Sequence, residues 1–290
     1  MSRSCPACED IGLRPSLKIS THQLLLCSGC GHEFLEADRD PDHIETVYGD
    51  DYFFGGGAGY PDYPAEARSL ISRGRFYGKK LRSFGEAGEL LDVGAAAGYL
   101  LEGFSQEGWT GEGIEPNELM ATLGGDRLGI DIHCGTLESY DLGSRQFDAV
   151  AAIQVMAHFA DPEYAWARLS NLVRPGGLLL VETWDRGSLT RWLLGRHWHE
   201  YSPPSVLHWF TKTSLDELAR RHGFYLLESK TTIKWISGNH ACSLVASKLP
   251  TGAASGMVKA LGSKLPDFLR LPNPGDDLFY SIYRKQPASG

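Results

Sequence analysis

The sequence predicts a doubly wound α/β domain preceded by a small cysteine-bound module. Three observations predict it. From residue 88 onward, short apolar runs alternate with amphipathic stretches of helical spacing. The apolar runs are near-continuous, as in parallel strands buried on both faces. The first of them leads straight into Gly94-Ala95-Ala96-Ala97-Gly98, a turn of small residues. At 290 residues and 42% hydrophobic, the chain can bury one large core and a small appendage.

The N-terminal module, residues 1–46, is defined by cysteine. Four of the six cysteines form Cys5-x-x-Cys8 and Cys27-x-x-Cys30, and eighteen residues separate the pairs, a zinc-ribbon spacing. Four thiolates complete a tetrahedral Zn2+ and leave no open position, so the metal is expected to be structural. Two disulfides, or a redox-active C-x-x-C, are the alternatives. A reducing compartment disfavours the first, and the second needs no partner pair. His22 and His32 then have no ligand role and are expected on the solvated surface.

Residues 47–65 contain VYGDDYFFGGGAGYPDY, whose Gly, Tyr and Pro content suits a linker or a ligand-covering flap. The main domain, 66–290, opens with an amphipathic helix in AEARSLISRGRFYGKKLRSF. ELLDVG is read as the first strand, YLLEGFSQEG as a helix, WTGEGIE as the second strand, PNELMATLGGDRLG as a helix and IDIHCG as the third strand. QFDAVAAIQ is the fourth strand. DPEYAWARLSNLVRPGG is a helix with Trp166, Leu169 and Val173 near one face, and LLLVET is the fifth strand. Residues 184–212 are read as a lid. Thr213 and Asp216 resemble a capping box opening the helix TSLDELARRHG, which Gly223 ends, and FYLLES is the next strand. The last strand is placed at 276–285, DDLFYSIYRK. Residues 230–275 then form a helical insertion that could complete the substrate pocket or mediate a homodimer.

In a doubly wound sheet the ligand lies beyond the carboxyl ends of the strands, at the switch point beside the first one. A dinucleotide fingerprint would place glycine where Ala96 stands, to admit a pyrophosphate, so a ligand without phosphates is favoured. Asp92 precedes the turn. Glu115 ends the second strand at about the distance where an acid takes a ribose diol.

The segments DVGAAAG, GIEP, FDAVAAIQVMAHFADP and LSNLVRPGGLLLVET, in this order and at these separations, resemble the class I S-adenosylmethionine-dependent methyltransferases. The resemblance covers roughly residues 66–230. It implies a seven-stranded Rossmann-like sheet with a reversed final hairpin, S-adenosylmethionine as cofactor and S-adenosylhomocysteine as product. Asp92, Gly94, Ala96 and Gly98 match the first motif, with Ala95 in the same turn, and Glu115, followed by Pro116, matches the ribose-binding acid. Thr136 and Leu137 match the adenine-side turn, and Gln154 and Val155 the wall after the fourth strand. The paired C-x-x-C motifs, with YF and GYPDY after them, look like the zinc-ribbon subgroup, similar to sugar C-methyltransferases of natural-product pathways.

Two places depart from the relatives' pattern. Where many carry Glu-His after the fourth strand, this chain reads Met156-Ala157-His158. In the lid motif Pro-x-His-Leu, Val206 takes the His position, and His208 follows two residues later. His158, at the carboxyl end of the fourth strand, is the first candidate for a catalytic base, since a neutral imidazole suits that role near pH 7. Tyr201 and His208 are secondary candidates in the stretch 191–210, which also holds His197 and His199. An H-x-H spacing alone makes no metal site without a third ligand.

The formal charge of -8 and a pI near 5.7 disfavour a nucleic-acid partner. No apolar run reaches the roughly 20 residues that span a bilayer, and MSRSCPACED lacks the apolar core of a signal peptide, so a cytoplasmic protein is expected. The expected function is methyl transfer to a small molecule, a sugar or natural-product intermediate, by in-line displacement with a His base. An RNA methyltransferase and a non-catalytic interaction protein that binds S-adenosylmethionine are the alternatives.

Overall fold

A computed structural model describes residues 4–36, 53, 63–233, 235–239, 242, 246, 252–262, 264, 265, 269–272 and 275–287. Its elements follow in chain order. The N-terminal module holds β1 (Leu13–Ile19), β2 (His22–Cys27) and β3 (Glu33–Leu35). Then come α1 (Ala67–Arg82), β4 (Glu89–Val93), α2 (Tyr99–Ser105), β5 (Thr110–Glu115), α3 (Glu118–Leu128), β6 (Ile132–Cys134) and β7 (Phe147–Ile153). They are followed by α4 (Pro162–Leu172), β8 (Val173–Trp184), α5 (Leu189–Leu194), β9 (His208–Trp209), α6 (Lys212–Arg221) and β10 (Phe224–Thr231). The chain closes with β11 (Trp235–Ser237), α7 (Ala253–Gly262), β12 (Arg270–Pro272) and β13 (Leu278–Lys285).

The main sheet has the order β10-β13-β8-β7-β4-β5-β6. β13 runs antiparallel to both neighbours and the remaining pairs are parallel. This is the expected seven-stranded sheet with its final reversal. The order turns at β4 and β7, which carry the continuous apolar runs. Leu90 and Leu91 of β4, and Ala149 to Ala152 of β7, are all fully buried, because helices cover both faces.

Glycine sets how closely the first two helices approach. A Cβ on Gly103 of α2 would lie 2.2 Å from the Ile71 carbonyl of α1, and one on Gly74 of α1 2.2 Å from the Leu100 carbonyl. Backbone cannot yield at that range without moving a helix. Gly103→Ala is therefore expected to destabilise by about 2 kcal/mol and lower the thermal midpoint by about 4–8 °C. Thermal unfolding checks this, and an unchanged midpoint would contradict the helix contact.

Several expectations are corrected. The helix carrying Trp166 and Leu169 ends at Leu172. Val173 is extended (φ -86°, ψ 127°) and belongs to β8, since Pro175 disfavours a helical Arg174 and Val173 pairs with Phe147. The capping box of α6 is Thr211 with Ser214, two residues before the expected pair, because Thr211 is the residue with extended backbone. Among the described residues, the insertion 230–275 is not purely helical. β11 pairs with β12 at its base, and β10 runs to Thr231. His32 is fully buried rather than solvated. Most of the expected flap 47–65 lies outside the described residues. Its described aromatics, Phe53 and Tyr63, pack in one cluster with Ala96, Ala97 and Tyr99.

Lid 184–212 does more than cross the domain edge. It contributes β9, which pairs antiparallel with β3 as the fourth strand of the N-terminal sheet. No helix of the described residues is long and apolar enough to cross a membrane.

Candidate active site and cysteine centre

β4 ends in a backbone cradle. The amides of Gly94 and Ala95 both donate to the Ile114 carbonyl, at 2.8 and 3.0 Å, so the turn folds tightly over the end of β5. Gly94 sits at φ +78°, and a Cβ there would be 2.4 Å from Val155 Cγ1. Only glycine accepts both conditions. Ala96 at φ 47° and Gln154 at φ 59° also occupy the left-handed region, which costs a residue with a Cβ of order 1 kcal/mol or more. One follows β4 and the other follows β7, so the strain gathers at the switch point where ligands bind in this architecture.

Two buried acids face this turn. Asp92 is 1% exposed, and among the described residues neither carboxylate oxygen has a hydrogen-bond partner. Glu115 accepts from the Ala96 amide at 2.8 Å and the Asn117 amide at 2.9 Å, and Asn117 in turn caps α3. Burial, and then the Glu115 carboxylate, push Asp92 up to about 8. Burial pushes Glu115 up to about 7, against the pull of its two amide donors. An unpartnered buried carboxylate beside a second acid is relieved by a cation or by hydroxyl donors and repels a phosphate. The residues thus fit a ligand bearing positive charge and a diol, and do not fit a pyrophosphate.

The other sequence-selected residues gather around the same strand ends. The Gly135 amide bonds the Glu115 carbonyl at 3.0 Å, which brings Thr136 and Leu137 beside the end of β5. Thr136 closes a turn with Ser139, and Leu137 is buried in the core cluster that contains Val93 and Ile114. The Pro116 carbonyl accepts from the Cys134 thiol at 3.8 Å. The Gln154 amide donates to the Glu182 carbonyl of β8 at 2.8 Å.

His158 lies four residues past Gln154 with its ring half-buried. Its Nδ1 is 2.8 Å from the Ser205 carbonyl. A carbonyl can only accept, so Nδ1 carries the proton, and in the neutral ring the lone pair lies at Nε2. Tyr201 and His208 are drawn elsewhere. The Tyr201 hydroxyl donates to Glu33 Oε2 at 2.6 Å and takes a hydrogen bond from Arg191 Nε at 2.9 Å. Burial and the Glu33 carboxylate push this phenol well up, so it stays protonated near neutrality. His208 is buried in β9, where its ring stacks on His32 with Nδ1 3.2 Å from His32 Nε2. His158 thus sits in the turn after β7, its amide on the Val155 carbonyl and its ring on the lid, while Tyr201 and His208 lie in the contact with the N-terminal module.

The sequence reading missed a third acid. Glu182, fully buried at the carboxyl end of β8, is held by Arg73 (Nε to Oε2, 3.1 Å) and the Tyr77 hydroxyl, both from α1. Arg73 thus places a cation of α1 at this end of the sheet. An Arg and a Tyr one helical turn apart, on a helix read only for its apolar face, were the available signal.

The four expected cysteines converge. Cys5 and Cys30 sulfurs are 3.7 Å apart, those of Cys8 and Cys27 3.6 Å, and all four lie within 4.8 Å of one another. A disulfide needs about 2.05 Å. Four sulfurs at about 2.3 Å around a tetrahedral zinc would be about 3.8 Å apart, so the set fits that ion. Without a cation the thiols resist ionisation. Burial pushes Cys8 up to about 12, and the Cys5 thiol, then burial, raise Cys30.

Comparison with known proteins agrees with this geometry. A sequence model of the family described as a methyltransferase domain matches residues 64–229. The ubiquinone biosynthesis O-methyltransferase of Bradyrhizobium sp. (strain ORS 278) is 31% identical over 157 residues, which cover 51% of this chain and 60% of that protein. Its namesake from Nitrobacter winogradskyi is 32% identical over 156 residues, 50% of this chain and 59% of that one. The chain thus spans about 60% of the length of these curated relatives.

Among solved structures, the 1,6-didemethyltoxoflavin-N1-methyltransferase of Burkholderia thailandensis aligns with a TM-score of 0.54 at 16% identity. The alignment covers 94% of this chain and 99% of that one. The [4+2]-cyclase SpnF aligns at 0.51 with 17% identity, over 75% and 82%. These likenesses show the fold, and a cyclase among them shows that the fold alone does not fix the reaction.

Proposed function

We propose that this chain, which belongs to the methyltransferase-domain family, transfers a methyl group from S-adenosylmethionine to a small molecule, with a sugar or natural-product intermediate as the substrate class. The observation that carries the reading is the pair of buried acids at the switch point, one of them with no hydrogen-bond partner among the described residues. S-adenosylmethionine supplies a methyl group on a positively charged sulfur, together with an ammonium and a ribose diol. Asp92 is the acid for the positive charge and Glu115 the acid for the diol. The small residues Gly94, Ala95 and Ala96, closed by Gly98, let the ligand come close to the backbone of the turn. Pro116, Thr136 and Leu137 form the adenine side, and Gln154 with Val155 the wall toward the methyl group.

His158 removes the substrate proton at Nε2, in the tautomer that the Ser205 carbonyl holds. The aromatic cluster of Phe53 and Tyr63 over Ala96 and Ala97 excludes water. The four cysteines hold Zn2+ as a closed structural centre. The net charge of -8 supports a small-molecule substrate over RNA.

A pH titration of cofactor affinity tests this. Asp92 near 8 and Glu115 near 7 are largely protonated at pH 6 and ionised at pH 9 in the free protein. A cationic ligand favours the ionised forms, so binding releases protons and tightens as pH rises, by up to about tenfold per pH unit for each proton released. Calorimetric affinity for S-adenosylmethionine should increase between pH 6.0 and 8.5, and Asp92→Asn should weaken binding and flatten the profile. The sign for folding is opposite. The raised carboxyl groups favour the ligand-free fold at low pH, and that contribution is lost between their ordinary values near 4 and their native values of about 7 and 8. A wild-type affinity independent of pH would contradict the assignment of the two acids.

A further inference from the structure

A closed four-thiolate centre offers no coordination position for chemistry, yet the module built on it reaches the site in two hydrogen-bond steps. The Leu35 amide of β3 donates to the Leu207 carbonyl at 2.8 Å. The amides of Leu207 and His208 both donate to the Ala157 carbonyl, at 2.9 and 3.1 Å. Ala157 precedes His158, whose Nδ1 donates to Ser205 in the same lid segment. The module thus grips residues 205–208, and those residues grip the candidate base on both its backbone and its ring.

Charge locks the same contact. Glu33, in β3, is fully buried and accepts from Arg186 Nε at 2.8 Å, the Tyr201 hydroxyl at 2.6 Å and the Ser16 hydroxyl. Arg186 lies near the start of the lid and Tyr201 in its middle, while β9 near its end pairs with β3, Phe34 opposite His208. Past the lid, Thr211 Oγ1 donates to the Cys30 carbonyl at 2.9 Å, which links the cap of α6 to a metal-ligand residue. One carboxylate therefore ties two points of the lid to a strand that begins three residues after Cys30.

We propose that the cysteine module is a buttress for the base: β3 fixes segment 205–208, whose Ser205 carbonyl sets the tautomer of His158, and Glu33 is the positioning residue of that arrangement. The inference rests on the reading of His158 as the base, and its test does not depend on turnover. A module this small has too little core to be rigid unaided, and a structural metal supplies the rigidity that a buttress needs. Removing Glu33 leaves Arg186 as an uncompensated charge in a site where it is 13% exposed, which expels the lid.

The experiment uses the full-length, metal-loaded chain with 15N-labelled histidine, the His158 ring signals being assigned by their loss in His158→Ala. In the wild type, the neutral ring should show a protonated Nδ1. In Glu33→Gln the signals should move toward a tautomer mixture. Tryptic cleavage after Arg191 and Arg196 should become at least about tenfold faster, because it follows the open population of the lid. Affinity for S-adenosylmethionine should stay within about twofold, since Glu33 touches none of the cofactor residues. Unchanged His158 signals in a folded Glu33→Gln protein would overturn the proposal, even with faster cleavage.

If Glu33→Gln fails to fold, Tyr201→Phe decides. It removes one donor to Glu33 at nearly unchanged shape, and should shift the His158 signals in the same direction by less. Unchanged signals there also overturn the proposal. An active His158→Ala protein would refute the base and leave the tautomer measurement standing on its own signals.

Discussion

Turnover in His158→Ala is expected to fall by about 10²–10⁴-fold while S-adenosylmethionine affinity stays within about twofold. The split follows from the geometry. His158 stands beyond the end of β7 with its ring hydrogen-bonded to Ser205, whereas the groups assigned to the cofactor, Asp92 and Glu115 among them, belong to β4, β5 and the turn after β4. The loss should sit in kcat, since proton removal is an interaction made only as the methyl moves. His158→Gln is expected to lose as much, because an amide can keep the bond to Ser205 without accepting a proton. Steady-state kinetics with calorimetric cofactor binding checks both. Unchanged turnover in either variant would remove His158 from the mechanism.

The second large effect concerns the cysteine centre. Cys27→Ser is expected to empty the site of zinc and unfold the module spanning residues 4–36. Apparent metal-binding energies in small zinc modules are about 10–16 kcal/mol, far more than so small a core supplies by itself. The main domain keeps two core clusters of its own, one containing Phe147, Trp166 and Phe279 and the other Tyr77, Phe104 and Trp109. Cofactor binding should therefore survive, with a Kd within about threefold, while proteolysis strips the module and turnover falls through the loosened lid. Metal analysis should give one zinc per wild-type chain and none in the variant. Wild-type cysteines that all alkylate as fast as free thiols, with no zinc present, would contradict the assignment.

The parallel core was legible in the sequence because it is written in local terms. A run such as Ala149 to Ile153, apolar at every position, has no solvent face to offer, and the small residues after Val93 mark a backbone that something approaches. Asp92 and Glu115 were legible by place, Asp92 just before the turn of small residues and Glu115 at the end of the second strand, at the distance where an acid takes a ribose diol. The cysteine centre was carried by spacing alone.

What escaped depends on partners far along the chain. β9 is two residues long, and His208 and Trp209 have no strand signal of their own; they become a strand because Phe34 and Glu33 lie opposite them. Nothing local marks Glu33, whose partners Arg186 and Tyr201 lie more than 150 residues later. His32 reads as solvated beside a filled metal site, and is buried because that same distant strand covers it. Val173 reads as helical because its pairing with Phe147 is likewise invisible locally.

The site assignments all rest on the proposed transfer of a methyl group from S-adenosylmethionine to a small molecule. The most direct test incubates the purified chain with labelled S-adenosylmethionine and a host extract, then separates small molecules, RNA and protein. Label is expected in the small-molecule fraction, dependent on Asp92 and His158 and absent from RNA. Label in RNA, or small-molecule labelling unaffected by Asp92→Asn and His158→Ala together, would contradict it.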